Sequence, residues 1–100
     1  MIKTLTQKDV IDFIVAHKDE LKREYGVRKI GLFGSYARDD ASLKGDIDIV
    51  VDLEKPDLFD LIGIKQILEE ALGKRVDVVR LRSRMNQSLR ARIDRDAIYV

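Results

Sequence analysis

The residues best suited to chemistry are Gly34-Ser35-Tyr36-Ala37-Arg38 and, after a short polar loop, Asp46-Ile47-Asp48-Ile49-Val50-Val51-Asp52. A small turn that a phosphate can approach is followed by two carboxylates one residue apart, at the head of an apolar run. Side chains of a strand alternate faces with a period of two. Asp46 and Asp48 are therefore expected on one face, and Ile47, Ile49 and Val51 on the other. Two neighbouring carboxylates repel, and each disfavours ionisation of the other unless a cation lies between them. Oxygen ligands of this kind suit Mg²⁺, which takes one or two carboxylates and completes its shell with substrate phosphates. The pattern predicts a site for a metal-bound nucleotide, and with it phosphoryl or nucleotidyl transfer.

Gly34 removes a Cβ where backbone must approach a ligand closely. Ser35 is expected to cap a short helix and to offer a hydroxyl to a phosphate, beside the free N–H groups of the helix start. Asp77 stands alone in the apolar segment Val76-Asp77-Val78-Val79. Buried there it would need a partner. If its strand lies beside the Asp46–Asp48 strand it faces those carboxylates, as a metal ligand or as a base toward an attacking hydroxyl; the alternative is a salt bridge to Arg75 or another arginine. Asp52 reads as a solvated strand end. Arg38 has two uses open to it, a phosphate or a nearby aspartate, and Lys44 and Arg80 are weaker phosphate candidates. Tyr36 either stacks on a base or packs under the turn. His17, the only histidine, reads as a surface residue, which argues against histidine-based catalysis.

The elements that must position these groups are legible. Thr6-Gln7-Lys8-Asp9 resembles a capping box, and Val10, Ile11, Ile14, Val15 and Leu21 follow at helical spacing, predicting a helix from Gln7 to Tyr25 that Gly26 ends. Val27 to Phe33 reads as a strand, Tyr36 to Arg38 as a short helix, Asp39 to Gly45 as a polar loop and Asp46 to Leu53 as a second strand. Pro56 marks a turn. Asp57 caps a helix that Gly73 stops. Arg75 to Val79 is a third strand, and Met85, Leu89 and Ile93 mark a last helix. Ala97 to Val100 is a short edge strand or a docking tail. Strands separated by helices predict an α/β layer structure. The dozen residues between the first two strands are too few for a full crossover helix, so these strands are expected antiparallel in a mixed sheet.

The 100 residues predict one domain, spanning 1–100, with a single core. The chain is 45% hydrophobic and 37% charged, with a formal net charge of +1, so its overall charge does not call for nucleic acid. It lacks cysteine, which excludes disulfides and thiolate metal sites and predicts a cytoplasmic setting. No apolar run approaches the ~20 residues that span a bilayer, and the first residues lack a signal-peptide core. Charge is uneven. Eight basic residues lie between Lys74 and Arg95, opposed only by Asp77 and Asp94. They form either a solvated helix face or a surface for a polyanion or acidic partner.

Gly34-Ser35, ten residues, then Asp46-Ile47-Asp48, with Asp77 on a later strand, resembles the signature of the DNA polymerase β nucleotidyltransferase superfamily. Gly34-Ser35-Tyr36-Ala37-Arg38 and the short length resemble more closely the minimal nucleotidyltransferase (MNT-type) proteins. These are prokaryotic and often form the antitoxin half of HEPN–MNT toxin–antitoxin pairs. The resemblance implies a nucleotidyltransferase fold, α/β (α+β), with a small mixed sheet flanked by helices. It implies Mg²⁺, and ATP as donor. It makes Gly34 and Ser35 nucleotide-phosphate binders, joined by Arg38 as a candidate, and Asp46, Asp48 and Asp77 metal carboxylates. It further implies AMP transfer onto a tyrosine of a partner HEPN ribonuclease, which silences that toxin. Gly45 departs from the serine or threonine that many relatives carry before the first aspartate; a hydroxyl contact is lost and the carboxylates stay.

Two other functions are open to these residues. One is a binding module that masks its partner by contact alone. The other is a transferase acting on a small molecule or nucleic acid, with the arginines from Arg80 to Arg95 gripping phosphate; binding of that kind would weaken steeply with salt. The three-aspartate set favours an enzyme, since like charges held together bring no structural return.

Overall fold

The computed structural model describes residues 5–39, 45–55 and 57–100. Lys44, the turn at Pro56 and most of the polar loop after Asp39 lie outside the described residues. The order is α1 (Gln7–Tyr25), β1 (Val27–Phe33), α2 (Ser35–Arg38), β2 (Ile47–Leu53), α3 (Leu58–Leu72), β3 (Val76–Arg80), α4 (Gln87–Asp96) and β4 (Ile98–Tyr99).

Local chemistry sets the ends of these elements. Thr6 and Asp9 close a reciprocal capping box at the start of α1, satisfying two backbone donors that the first turn leaves free. The Asp57 carboxylate accepts from the Phe59 N–H at the start of α3. Gly26 and Gly73 end α1 and α3 in the left-handed conformation, as expected. Asn86, which the sequence pattern did not single out, caps α4.

The four strands form one mixed sheet in the order β3-β2-β1-β4. β1 runs antiparallel to β2 and β4, and β2 runs parallel to β3. The antiparallel first pair and the edge position of the C-terminal strand agree with the sequence expectations. Both faces of the sheet are covered. On one, Ile30, Leu32, Ile47, Ile49 and Val51 pack with Val10, Ile14 and Leu21 of α1 and Ile64 and Leu68 of α3. On the other, Phe33 and Val50 pack with Ile93 of α4. Each of these side chains is essentially inaccessible, and burying one contributes roughly 1.5–3 kcal/mol. The alternation within β2 is thus used on both sides: Ile47, Ile49 and Val51 face α1 and α3, whereas Asp48 and Val50 face the α4 side.

The free edge of β3 is held by side chains of α3. Lys65 Nζ donates to the Val76 carbonyl at 2.6 Å, and the Val76 N–H donates to Glu69 Oε2 at 3.0 Å. Lys65 and Glu69 are themselves paired at 3.0 Å. The Val76 N–H, then the Lys65 ammonium, hold the Glu69 carboxyl below its usual range. A bare edge would invite slippage or pairing with another chain, and this clamp sits one residue before Asp77. Glu69→Ala is expected to speed amide exchange at Val76 several-fold while the far side of the sheet stays protected. Residue-resolved hydrogen exchange checks this, and unchanged protection at Val76 would refute it.

Candidate active site

The turn after β1 places Gly34 at φ 76°, ψ −155°, a region open essentially to glycine. A Cβ built there would stand 2.1 Å from Asp48 Oδ2. The missing side chain therefore makes room for the Asp48 carboxylate itself, not only for a ligand. Ser35 does not cap the helix, contrary to the sequence expectation. Gly34 holds the cap position without a side-chain hydrogen bond, and Ser35 is the first residue of α2. The Ser35 hydroxyl lies 3.6 Å from where a Gly45 Cβ would stand, so the residue before Asp46 comes close to this hydroxyl.

Tyr36 takes the packed alternative. It is 1% exposed and belongs to the core under α1 and α3. Lys74 Nζ donates to its hydroxyl at 2.6 Å and lies 4.8 Å from the ring centroid. Gln7 Nε2 donates to the Ala37 carbonyl at 2.8 Å. The one-turn helix after Gly34 is thereby fastened to α1 and to the start of β3, both remote in sequence, which makes the turn a rigid platform.

Asp48 lies within β2, half-buried, and Asp46 lies one residue before that strand rather than inside it. Ile47 donates its N–H to the Arg75 carbonyl at 3.0 Å, which brings this entry point against β3. Asp77 is the parallel register partner of Asp48, so the two carboxylates stand side by side on the α4 face. The expected juxtaposition is present, but Asp77 is exposed on an edge strand rather than buried, and no ion pair to it forms among the described residues. The salt-bridge alternative for Asp77, to Arg75 or another arginine, is not taken. Burial pushes the Asp48 carboxyl up; Arg92 opposes this, and Asp77 and Asp46 add to it. Each pairing of like charge here raises the cost of ionisation.

Arg38 takes the aspartate alternative. Its Nη1 donates to Asp96 Oδ2 at 2.8 Å. Asp96, the last residue of α4, has a side chain only 3% exposed and also accepts from Arg95 Nε at 2.8 Å and Nη2 at 3.1 Å. The Arg95 bonds, reinforced by Arg38 against the opposing cost of burial, hold the Asp96 carboxyl below its usual range. A depressed carboxyl contributes stability above its unfolded pKa, and that contribution is lost as pH falls through the folded value. Asp96→Asn is expected to cost on the order of 1 kcal/mol at neutral pH. The difference from wild type should shrink as pH falls below the ordinary carboxylate range; urea titrations at neutral and at successively lower pH measure it.

Arg92 and Asp96 were not singled out as site residues from the sequence. The only signal was the basic run from Lys74 to Arg95, and the structure divides that run. Arg90 pairs with Asp94 at 3.5 Å, Arg95 with Asp96, and Arg92 Nη2 reaches Asp48 Oδ2 at 3.6 Å. Arg80 is not brought to the carboxylates: it pairs in register with Val51, three residues beyond Asp77. Asp52 is not free but pairs with Arg28 at 3.1 Å, beyond Val50 on β2. His17 lies on α1, on the opposite side of the sheet, its ring stacked 4.0 Å from that of Phe13. Two open clefts of about 510 and 450 Å³ lie along α4 and at the far end of β2, lined by residues such as Ser83, Arg90, Arg28 and Arg80, and neither contains Asp48.

Among the described residues no group of three or more His, Cys, Asp or Glu side chains is gathered so that it could hold a metal ion by itself, and none of the helices is long and apolar enough to cross a membrane. An open pair of carboxylates against a glycine turn is nevertheless the donor set that Mg²⁺ accepts when phosphates complete its shell.

The chain is similar to known proteins in sequence and in fold. The nucleotidyltransferase domain family matches residues 14–100. The protein adenylyltransferase MntA of Thermococcus cleftensis is 40% identical over 97 residues, covering 96% of this chain and 97% of the relative. A solved complex of a tri-AMPylated Shewanella oneidensis HEPN toxin with its MNT antitoxin matches with 28% identity and a TM-score of 0.65, over 94% of this chain and 71% of the matched one. A solved toxin–antitoxin with AMP-PNP matches with 29% identity and a TM-score of 0.67, over 84% and 69% respectively. The site geometry and these relatives converge: the chain belongs to the nucleotidyltransferase domain family and is an enzyme whose substrate is a nucleotide.

Proposed function

We propose that this chain is a Mg²⁺-dependent protein adenylyltransferase, the antitoxin partner of a HEPN-type ribonuclease, which moves AMP from ATP to a tyrosine hydroxyl of that toxin and silences it. The observation that carries this reading is the side-by-side register of Asp48 and Asp77, with the Asp48 carboxylate seated against Gly34. The adenylyltransferase name of the 40% identical relative supports it, as does the AMPylated toxin in the matched complex.

The positions of the residues support the following roles. Gly34 and Ser35 receive the nucleotide phosphates, where backbone N–H groups and a hydroxyl meet a ligand without an intervening side chain. Asp46 and Asp48 would hold Mg²⁺, with Asp77 as third carboxylate. When bound, the ion supplies charge neutralisation for the phosphates and for the departing pyrophosphate. Asp77, exposed and without an ion pair among the described residues, accepts the proton of the tyrosine hydroxyl. The tyrosine oxygen forms its bond to the α-phosphorus as the bond from that phosphorus to the pyrophosphate oxygen breaks. Positioning and charge neutralisation, more than covalent chemistry by the protein, account for the rate. Arg38, held by Asp96, adds positive charge beside the turn that attracts the phosphates.

The test is intact-mass spectrometry of the co-purified pair with Mg²⁺-ATP. One or more AMP units should appear on the partner. Asp46→Asn should remain folded and lower the transfer at least ~10³-fold, the scale on which a preorganised charge-stabilising group acts. Transfer retained in that variant would remove Asp46 from the site. No mass gain on any component, with partner binding intact, would leave masking by contact as the function.

A further inference from the structure

Arg92 stands where the carboxylate site most needs positive charge. Its Nη2 lies 3.6 Å from Asp48 Oδ2, and its guanidinium lies 5.7 Å from the ring centroid of Phe33. Phe33 is the antiparallel register partner of Asp48, so ring and carboxylate lie side by side and one guanidinium spans both. The aromatic face holds a cation in place. Arg92 is presented by α4, whose next residue, Ile93, is fully buried against Phe33 and Val50. Asp48 Oδ2 is thus enclosed between the Gly34 turn on one side and Arg92 on the other.

We infer that Arg92 is a built-in counter-ion that occupies the cation side of Asp48 before substrate arrives, disfavours binding of a bare divalent ion, and passes to the nucleotide phosphates when ion and nucleotide enter together. The inference rests on the nucleotidyltransferase reading of the site. Two cations on one carboxylate repel each other. In a half-exposed site a unit charge a few ångströms from the ion weakens its binding about five- to tenfold. A metal–triphosphate complex brings several negative charges of its own, so the same arginine that opposes the bare ion attracts the complex. The geometry therefore favours loading of the ion with the nucleotide rather than ahead of it. Arg92 is 48% exposed at its side chain and has room to turn outward.

Two binding measurements test this without turnover. Mn²⁺, a paramagnetic substitute for Mg²⁺, is titrated into nucleotide-free protein and followed by the resonance of the free ion. AMP-PNP with Mn²⁺ is titrated by calorimetry. Arg92→Gln is expected to bind bare Mn²⁺ about five- to tenfold more tightly than wild type and Mn²⁺–AMP-PNP several-fold more weakly. Arg92→Lys should restore both values toward wild type, which a purely structural role over Phe33 would not require. If Arg92→Gln does not fold, Arg92→Met keeps an apolar stem over Phe33 and carries the same expectation. A folded neutral variant with bare-Mn²⁺ affinity equal to or below wild type overturns the inference. Wild type that binds neither Mn²⁺ nor AMP-PNP overturns the nucleotidyltransferase reading instead, so the two failures are distinguishable.

Discussion

Gly34→Ala is expected to unseat the Asp48 carboxylate and to reduce nucleotidyl transfer by 10²-fold or more, the scale associated with a misplacement of about 1 Å at a reacting centre. The new methyl would stand 2.1 Å from Asp48 Oδ2 and 3.0 Å from its Cγ, so either the carboxylate or the turn must move. Neither is free to do so. The turn is fastened through Tyr36 to Lys74 and through Ala37 to Gln7. Asp48 is fixed by ladders to β1 on one side and β3 on the other. The backbone at φ 76°, ψ −155° adds strain of about 1–3 kcal/mol for any residue with a Cβ. Urea titration should show a stability loss of roughly 2–4 kcal/mol, within the range reserved for strained or clashing sites. Gly73→Ala is the control. It too has a positive φ, but nothing lies within 4 Å of the position a Cβ would take. It should cost about 1 kcal/mol and leave transfer intact. Equal loss of activity in both variants would show that general destabilisation, not the contact with Asp48, is responsible.

Asp48→Asn should abolish transfer and, at the same time, stabilise the nucleotide-free protein. Burial, with Asp77 and Asp46 beside it, raises the Asp48 carboxyl above its ordinary value despite Arg92. A carboxyl raised on folding binds a proton more readily in the native state. It therefore costs stability as pH rises through the window between its unfolded and folded values, and that stability returns on acidification. Asp96 behaves oppositely, because its carboxyl is depressed. Replacing Asp48 by its neutral isostere removes the cost at neutral pH. The melting temperature should rise by a few degrees, given ~4–8 °C per kcal/mol for a domain of this size, and the gain should shrink at low pH. A lower melting temperature at neutral pH would mean that the pairing with Arg92 outweighs burial. Asp52→Asn, on the same strand but paired with Arg28, should leave transfer unchanged.

Such opposition between stability and activity is common where like charges are held together for chemistry. It also explains why α4 contributes Arg92 to the site: a counter-ion lowers the cost of keeping Asp48 ionised without closing the site to a metal–nucleotide complex.

Several parts of the molecule were determined by the sequence alone, because the forces that set them act over a few residues. The Thr6–Asp9 box, the Asp57 cap and the left-handed Gly26 and Gly73 depend on backbone donors and acceptors within one turn. The division of β2 into an Ile47–Ile49–Val51 face and an Asp48 face depends on the period of an extended chain. The short connection between β1 and β2 constrained them to pair antiparallel. The spacing from Gly34 to Asp46 and Asp48 pointed to nucleotide chemistry for the same reason: it lies within one strand–turn–strand unit. The tertiary structure alone decided which partners these groups meet. It exposed Asp77 on an edge yet set it in register with Asp48, because the α3 crossover returns the chain so that β3 runs parallel to β2. It drew Tyr36 into the core and gave Gly34 its purpose as the space for the Asp48 carboxylate. It broke up the basic run from Lys74 to Arg95, sending Arg90 to Asp94, Arg95 to Asp96 and Arg92 to Asp48. Burying Ile93 against Phe33 and Val50 brings Arg92 over the site, and no local rule of spacing could have specified that contact across more than forty residues of chain.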